Sequence, residues 1–367
     1  MPMNDKVIVK TIKLKVKPGS RNWLDRAAME VNQVWNYCNE TAVKALETGP
    51  ERPKPKWLSG YDLCYLTAGM TEFTEKIGAD SIQNICTEYA QKRKQAKKRR
   101  LRWRASRGPD RALGWVPFKG INIKRHGNAI RFCGKTFRLF NANRLDEGKL
   151  KSGCFAQDGV GDWYLCIACE VPIGDSIAPK EAVGIDLGLK SVASTSDGDK
   201  LNMSFYRDSE QKLGELQRRG HKKQAKRVHR KVKRQRAHKA HCFTKGIVDN
   251  YQNIFVGDVS SLKLVKTRLS KSVLDSSWAM LKNQLLYKSQ QAGRRFEVIN
   301  ESYTSRSCSE CGSLSGPQGL RELPVREWRC ADCGTVHDRD VNAARNILLL
   351  GLKCQPPSAG TSRLLAA

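Results

Sequence analysis

Two short cysteine pairs constrain this chain more than any other feature. Cys308-x-x-Cys311 and Cys330-x-x-Cys333 each make a tight knuckle that aims two thiolates at one point. Two such knuckles complete a tetrahedron around one Zn²⁺. Gly312 and Gly334 follow the knuckles, where a chain turning under a metal benefits from positive φ. Four closed ligands leave no position for water, so a zinc here is structural. Cys166-x-x-Cys169 has the same spacing but sits in an alternating apolar segment. Residues three apart on a strand face opposite ways, so this pair reads as core and surface cysteines. The remaining members of the 13 cysteines have no ligand-like spacing and read as small hydrophobes.

Charge narrows the partner. The sequence carries 66 Lys and Arg against 36 Asp and Glu, a net +30. Such a balance repels itself in the compact state, and a polyanion relieves the repulsion. From Lys92 to Arg111, 11 of 20 residues are basic, and from Arg218 to Lys239, 12 of 22. A single run would read as a solvated face; two runs on this background point to nucleic acid. Ala225, Val228 and Val232 put a thin apolar stripe on the second run, which predicts a helix. The candidate phosphate contacts are Arg93, Lys97, Arg100 and Arg104 in the first run, and Lys222, Lys226, Arg230 and Arg234 in the second. Neither run has the wide apolar face of a membrane-surface helix. No stretch approaches the ~18 apolar residues of a membrane span. Met1 to Lys17 lacks the apolar block of a signal peptide. With an odd cysteine count, these features lead to the expectation of a cytoplasmic, nucleoid-associated protein in a reducing compartment.

Periodicity supplies the frame. Ile12, Leu14 and Val16 alternate with lysines, as in a half-buried strand. Trp23, Leu24, Ala27, Ala28, Val31, Val34, Trp35 and Cys38 then recur at helical spacing, after Ser20 as the expected N-cap. Residues 51–56 read as a linker, and helical pattern continues to about Arg107 before Gly108-Pro109. From Ile121 to Val171 short strands return between glycine turns, the clearest being Tyr164 to Val171. A helical block is thus inserted into a small β-domain, and a new unit begins near Glu181. Residues 355–367 are expected to be disordered.

Two acids stand out beyond this frame. Asp186 is the acid within the apolar strand Val183–Leu187, and a buried acid is costly unless paired or cation-bound. Asp338 and Asp340 precede the helix start Asn342-Ala343-Ala344-Arg345-Asn346-Ile347, where the helix dipole keeps an acid ionised. The residue pattern leaves these two as alternatives, with Asp340 nearer the helix.

GIDLGLK at 184–190, YTSRSCSECG at 303–312 and DRDVNAARNI at 338–347 resemble the TnpB family, RNA-guided nucleases of insertion sequences related to type V CRISPR effectors. The motifs stand in the family's order, and the match spans nearly the whole chain. The resemblance implies a multi-domain α+β fold. A split β-barrel wedge (WED) domain would occupy 1–19 and 116–180, with a helical recognition (REC) lobe at 20–115. An RNase H-like (RuvC) α/β nuclease domain would occupy 181–302 and 337–353, with a zinc-finger insert at 303–336 that binds the target nucleic acid. It implies a transposon-end-derived guide RNA, a double-stranded DNA target with a short adjacent motif, and two Mg²⁺ besides the zinc. It also implies a monomeric ribonucleoprotein. Asp186 would bridge the two ions and Asp340 would complete the site. Base pairing would supply specificity while the basic runs track phosphates. Trp103 and Trp115 are candidates for base stacking or for the core.

One position departs from the family. Asn253–Val259 matches the strand that usually carries a catalytic glutamate, and Gly257 stands in its place. The next residue, Asp258, faces the opposite way in a strand. Glu301, at the C-terminal end of the strand Arg295–Asn300, is the candidate replacement, because that strand neighbours the one holding Gly257 in an RNase H-like sheet. Glu297 lies deeper and is the weaker candidate. The competing expectations are a nuclease-silent RNA-guided DNA-binding repressor, and a zinc-containing RNA-binding protein with no use for the buried acids.

Overall fold

The computed structural model describes residues 7–48, 54–174, 176–259, 277–318, 322 and 325–353. The expected tail and the first half of the 51–56 linker lie outside these. The chain divides into two compact units, with the boundary at residue 173.

In the first unit, alternation of apolar residues and lysines makes β1 (Val7–Lys15), with Ile12 and Leu14 inward and Lys13 outward. The period then changes to helical. α1 (Arg21–Lys44) turns Leu24, Ala27, Val31, Val34 and Cys38 into the core. The expected Ser20 cap does not form; its backbone (φ −102°, ψ 3°) lacks the extended geometry a capping side chain needs. α2 (Gly60–Leu66) begins in a Ser59–Asp62 capping box, and α3 (Ala79–Ala96) follows. The helix expected to reach Arg107 stops at Ala96, with Lys97 at φ 50°. Consecutive Lys97, Lys98, Arg99 and Arg100 would crowd like charges on a further turn.

β2 (Trp115–Phe118), β3 (Lys124–His126), β4 (Ala129–Phe132), β5 (Lys135–Arg138), β6 (Lys149–Gln157) and β7 (Trp163–Pro172) complete this unit. β1 joins an antiparallel sheet ordered β1-β7-β6-β2, with Ile12 opposite Ile167 and Leu14 opposite Leu165. The remaining strands form a separate β3-β4-β5 sheet, linked to β1's end by the isolated bridge Val16–Leu139. Among the described residues the ladders do not close into the expected barrel. On β7, Cys169 is buried and Cys166 half-buried, consistent with opposite faces.

The second unit contains β8 (Lys180–Asp186), β9 (Ala193–Thr195), β10 (Lys200–Leu201), α4 (Arg207–Arg218), α5 (Lys222–Asn250) and β11 (Tyr251–Gly257). It continues with α6 (Trp278–Ala292), β12 (Arg295–Ile299), β13 (Glu327–Arg329), β14 (Val336–Asp338) and α7 (Arg339–Lys353). Its mixed sheet is ordered β10-β9-β8-β11-β12, with β8, β11 and β12 parallel. Strand alternation separates two layers. Val183, Ile185, Ile254 and Val256 pack with α5 and α6 residues such as Val248 and Leu281. On the other face Phe255 and Ile299 pack with Ile347 of α7. α7 approaches so closely that a Cβ on Gly184 would strike the Ala344 carbonyl, and one on Gly351 the Phe255 ring. Asp186 and Gly257 share this α7 face by the two-residue period.

Candidate active site

The close approach of α7 to β8 and β11 gathers the acids. Asp186 ends β8, and Asp340 lies in the first turn of α7. Gly257 ends β11, and a Cβ there would fall on Glu301 Oε2, with Ile347 Cδ1 at 3.2 Å and Glu301 Cβ at 3.4 Å. The Glu301 carboxylate therefore occupies the space left by the missing side chain at 257. Its Oε2 is buried and has no hydrogen-bond partner.

Electrostatics reports the same proximity. The Asp186 carboxyl is pushed up to about 8, by burial first and then by the charges of Asp340 and Glu301. Glu301 is raised by burial and by Asp258, against the opposing pull of Lys282. Asp258 is exposed and accepts the Glu301 backbone N–H at 3.2 Å, so it braces the loop from the rim. Glu297 is held by Arg295 at 2.7 Å. Asp186, Asp340 and Glu301, the last with an orphaned buried oxygen, are an oxygen donor set of the kind that suits hard divalent cations such as Mg²⁺.

The structure also distinguishes Asp338 from Asp340. Asp338 Oδ1 accepts the backbone N–H groups of Asp340 and Val341 at 3.0 Å each, and its Oδ2 takes Lys200 Nζ at 2.5 Å. Burial works against its charge, but Lys200 and these N–H groups hold its carboxyl below the usual range. Asp338 is thus committed to the start of α7. Asp340 meets Arg326 at 3.3 Å and contributes its charge to Asp186.

The thiols of Cys308, Cys311, Cys330 and Cys333 all lie within 4.8 Å of one another. The knuckles are near copies. Gly312 N–H bonds the Cys308 carbonyl at 2.9 Å and Gly334 N–H bonds that of Cys330 at 3.0 Å, with φ of 80° and 73° at the two glycines. The Cys330 thiol is lowered to about 5 by the Cys333 backbone N–H and the Ser315 hydroxyl. Among the described residues the carboxylates are not gathered as tightly as these thiols. Soft thiolates at this spacing suit Zn²⁺.

Several contributors escaped the sequence reading. Buried His337 places Nε2 3.0 Å from Cys308 Sγ, with its ring 4.8 Å from that of Trp328. Asn342 and Asn346, one turn apart on α7, both donate to the Ser307 carbonyl at 2.7 Å. They tie the first knuckle to the helix that carries Asp340. The signal was present in the 338–347 motif, as two asparagines four apart on an otherwise apolar face.

Two expected phosphate contacts need correction. Arg93 is fully buried, donating to the Ala42 carbonyl at 3.0 Å and the Arg99 carbonyl at 3.1 Å, with Trp57 stacked 3.9 Å away. It satisfies the Ala42 carbonyl at the end of α1, where the last carbonyls have no partner within the helix. Arg104 is half-buried and bonded to Asn32 at 2.7 Å and the Leu113 carbonyl at 2.9 Å. Lys97 and Arg100 are exposed, as are Lys222, Lys226 and Arg234 on α5, while Arg230 is half-buried. Trp115 packs on the core, whereas Trp103 is 48% exposed.

A family model described as "Probable transposase" (OrfB_IS605) matches residues 167–268, and one described as "Cas12f1-like, TNB domain" matches 278–347. A putative RNA-guided DNA endonuclease of Streptomyces pristinaespiralis is 35% identical over 212 residues, covering 54% of this chain and 52% of that protein. The putative RNA-guided DNA endonuclease InsQ of Escherichia coli K12 is 25% identical over 263 residues, 64% of each chain. The chain thus spans between half and two-thirds of the length of these relatives. A solved Cas12f1–sgRNA–target DNA complex aligns over 93% of the chain at TM-score 0.37 and 16% identity. The mini-RNA-guided endonuclease Cas_phi3 aligns over 96% at TM-score 0.45 and 8% identity. The sequence matches define a transposon-associated class with a four-cysteine segment. By these matches the chain is similar to TnpB-type proteins.

Proposed function

We propose that the chain is an RNA-guided DNA endonuclease with an RNase H-like (RuvC) nuclease domain, in which Glu301 replaces the glutamate absent at Gly257. The observation that carries this reading is the Glu301 carboxylate in the space above Gly257, its Oε2 buried without a hydrogen-bond partner and its charge, with that of Asp340, acting on Asp186. Asp186, Glu301 and Asp340 would hold two Mg²⁺. When bound, divalent ions at such a site supply an activated water and stabilise charge at the leaving oxygen. The protein's own part is to hold the three carboxylates. The β8 strand places Asp186, the first turn of α7 places Asp340, and the loop braced by Asp258 places Glu301. Cys308, Cys311, Cys330 and Cys333 would hold one structural zinc that shapes the insert. The exposed members of the two basic runs would track phosphates of a guide RNA and a DNA target. A transposon-end origin for the guide and a short motif beside the target follow from the TnpB resemblance.

The looser spacing of the carboxylates favours a second reading, a nuclease-silent RNA-guided DNA-binding protein. Cleavage of guide-matched double-stranded DNA by the RNA-loaded chain with Mg²⁺ separates the two. The endonuclease cuts matched and spares scrambled DNA; the silent protein binds matched DNA and cuts neither.

A further inference from the structure

Asn32, Asn36 and Asn39 lie on one side of α1, at 4%, 9% and 0% exposure. Buried asparagines in a helix need partners, and these find them in the irregular chain after α3. Asn39 accepts the Leu101 N–H at 3.0 Å and donates to the Leu101 carbonyl at 2.9 Å. Asn36 repeats the pattern on Arg104, at 2.9 and 3.0 Å. Asn32 takes the Arg104 side chain at 2.7 Å and donates to the Ser106 hydroxyl at 3.1 Å. The backbone is therefore clamped at 101 and 104, and the two residues between the clamps are turned outward. They are Arg102, with a 79% exposed side chain, and Trp103.

Trp103 borders a cleft of about 870 Å³, which Lys92, Arg102, Arg104, Trp35 and Leu113 also line. Arg100 lies over the Trp103 ring at 5.9 Å. The acid in the lining, Asp110, meets Arg102 at 3.1 Å, with both side chains about four-fifths exposed. Lys92 meets Glu88 at 3.0 Å, also near the surface. Solvent-screened pairs of this kind are weak enough for a phosphate to displace. A large ring held out on a clamped backbone, among cations, is a stacking platform already organised for a π-face with a charged tail.

We propose that this cleft holds one unpaired nucleotide, with its base stacked on Trp103 and its phosphate against Arg102 and Lys92. The proposal rests on the reading that the chain binds nucleic acid, and it adds a defined subsite. An RNA or a single DNA strand offers the same chemistry, and the test separates them.

Short iodouracil-substituted RNA and DNA single strands, irradiated with the full chain and mapped by mass spectrometry, provide that test. The expected adduct lies on the peptide carrying Trp103. Trp103→Leu should lower its yield and the affinity roughly ten-fold, the scale of one lost base stack. Trp103→Phe should retain most of both, and thermal melting should show both variants folded. Labelling by one strand type alone identifies the occupant. Binding without an adduct at Trp103, or equal losses in the Leu and Phe variants, overturns the subsite alone. Failure of both strands to bind at low salt overturns the nucleic-acid reading as well.

Discussion

The thiols of Cys308, Cys311, Cys330 and Cys333 lie within 4.8 Å of one another, whereas Asp186, Glu301 and Asp340 are held on separate elements, and burial, with the charges of Asp340 and Glu301 behind it, raises the Asp186 carboxyl. Each thiol pair comes from one knuckle with its own local hydrogen bonds, so half of the cluster is specified by a few consecutive residues. The carboxylates meet only when β8, β11, β12 and α7 are all in place. A site assembled by topology holds charges that repel until an ion is bound.

The largest expected effect falls on the closed cluster. Zinc in cysteine knuckles contributes about 10–16 kcal/mol of apparent binding energy, and that energy is folding energy for the segment. Cys330→Ser should therefore abolish stoichiometric zinc by elemental analysis and unfold residues 303–336 by hydrogen exchange. Retained protection without zinc would erase the distinction between the clusters.

The carboxylate cluster should respond in the opposite direction. Asp186 keeps its proton in the folded chain up to about pH 8 but would lose it near pH 4 when unfolded. The folded state then binds the extra proton across that window, so stability falls as pH rises through it. In metal-free protein at pH 8, Asp186→Asn should raise stability by a few kcal/mol, at about 1.4 kcal/mol per pKa unit. Mg²⁺ should raise the melting temperature of the wild type and leave that of the variant nearly unchanged. Destabilisation by Asp186→Asn in metal-free protein would show that these charges do not strain one another.

A smaller effect probes the space above Gly257. A methyl there would meet Glu301 Oε2, the movable end of a side chain. Gly257→Ala should cost about 1–3 kcal/mol in thermal unfolding and turn the Glu301 carboxylate outward. Divalent-cation affinity by calorimetry should fall with it. An unchanged affinity would show that Glu301 need not occupy this space.

The same contrast explains what the sequence disclosed. Knuckle spacing and the Ile12–Leu14–Val16 alternation are local, and both are visible in the folded chain. The juxtaposition of Gly257 and Glu301 was accessible because the pairing of β11 with β12 could be anticipated and Gly257 removes a side chain. The burial of Arg93 was hidden, since nothing in a run of lysines and arginines singles out the one that turns toward the carbonyls of α1. Asn32, Asn36 and Asn39 read as ordinary polar helix residues until their backbone partners are known. Asp338 could not be separated from Asp340 by spacing alone. Its role depends on Lys200, which lies far away in sequence, and on the direction of the first N–H groups of α7.

The proposed role of Glu301 is tested most directly by cleavage of guide-matched double-stranded DNA with Mg²⁺, comparing RNA-loaded wild type with Glu301→Gln. Glutamine keeps the shape and removes the charge. The variant should bind RNA as the wild type does and lose cleavage as completely as Asp186→Ala, while Glu297→Gln and Asp258→Asn still cut. Cleavage by Glu301→Gln at the wild-type rate would contradict the assignment.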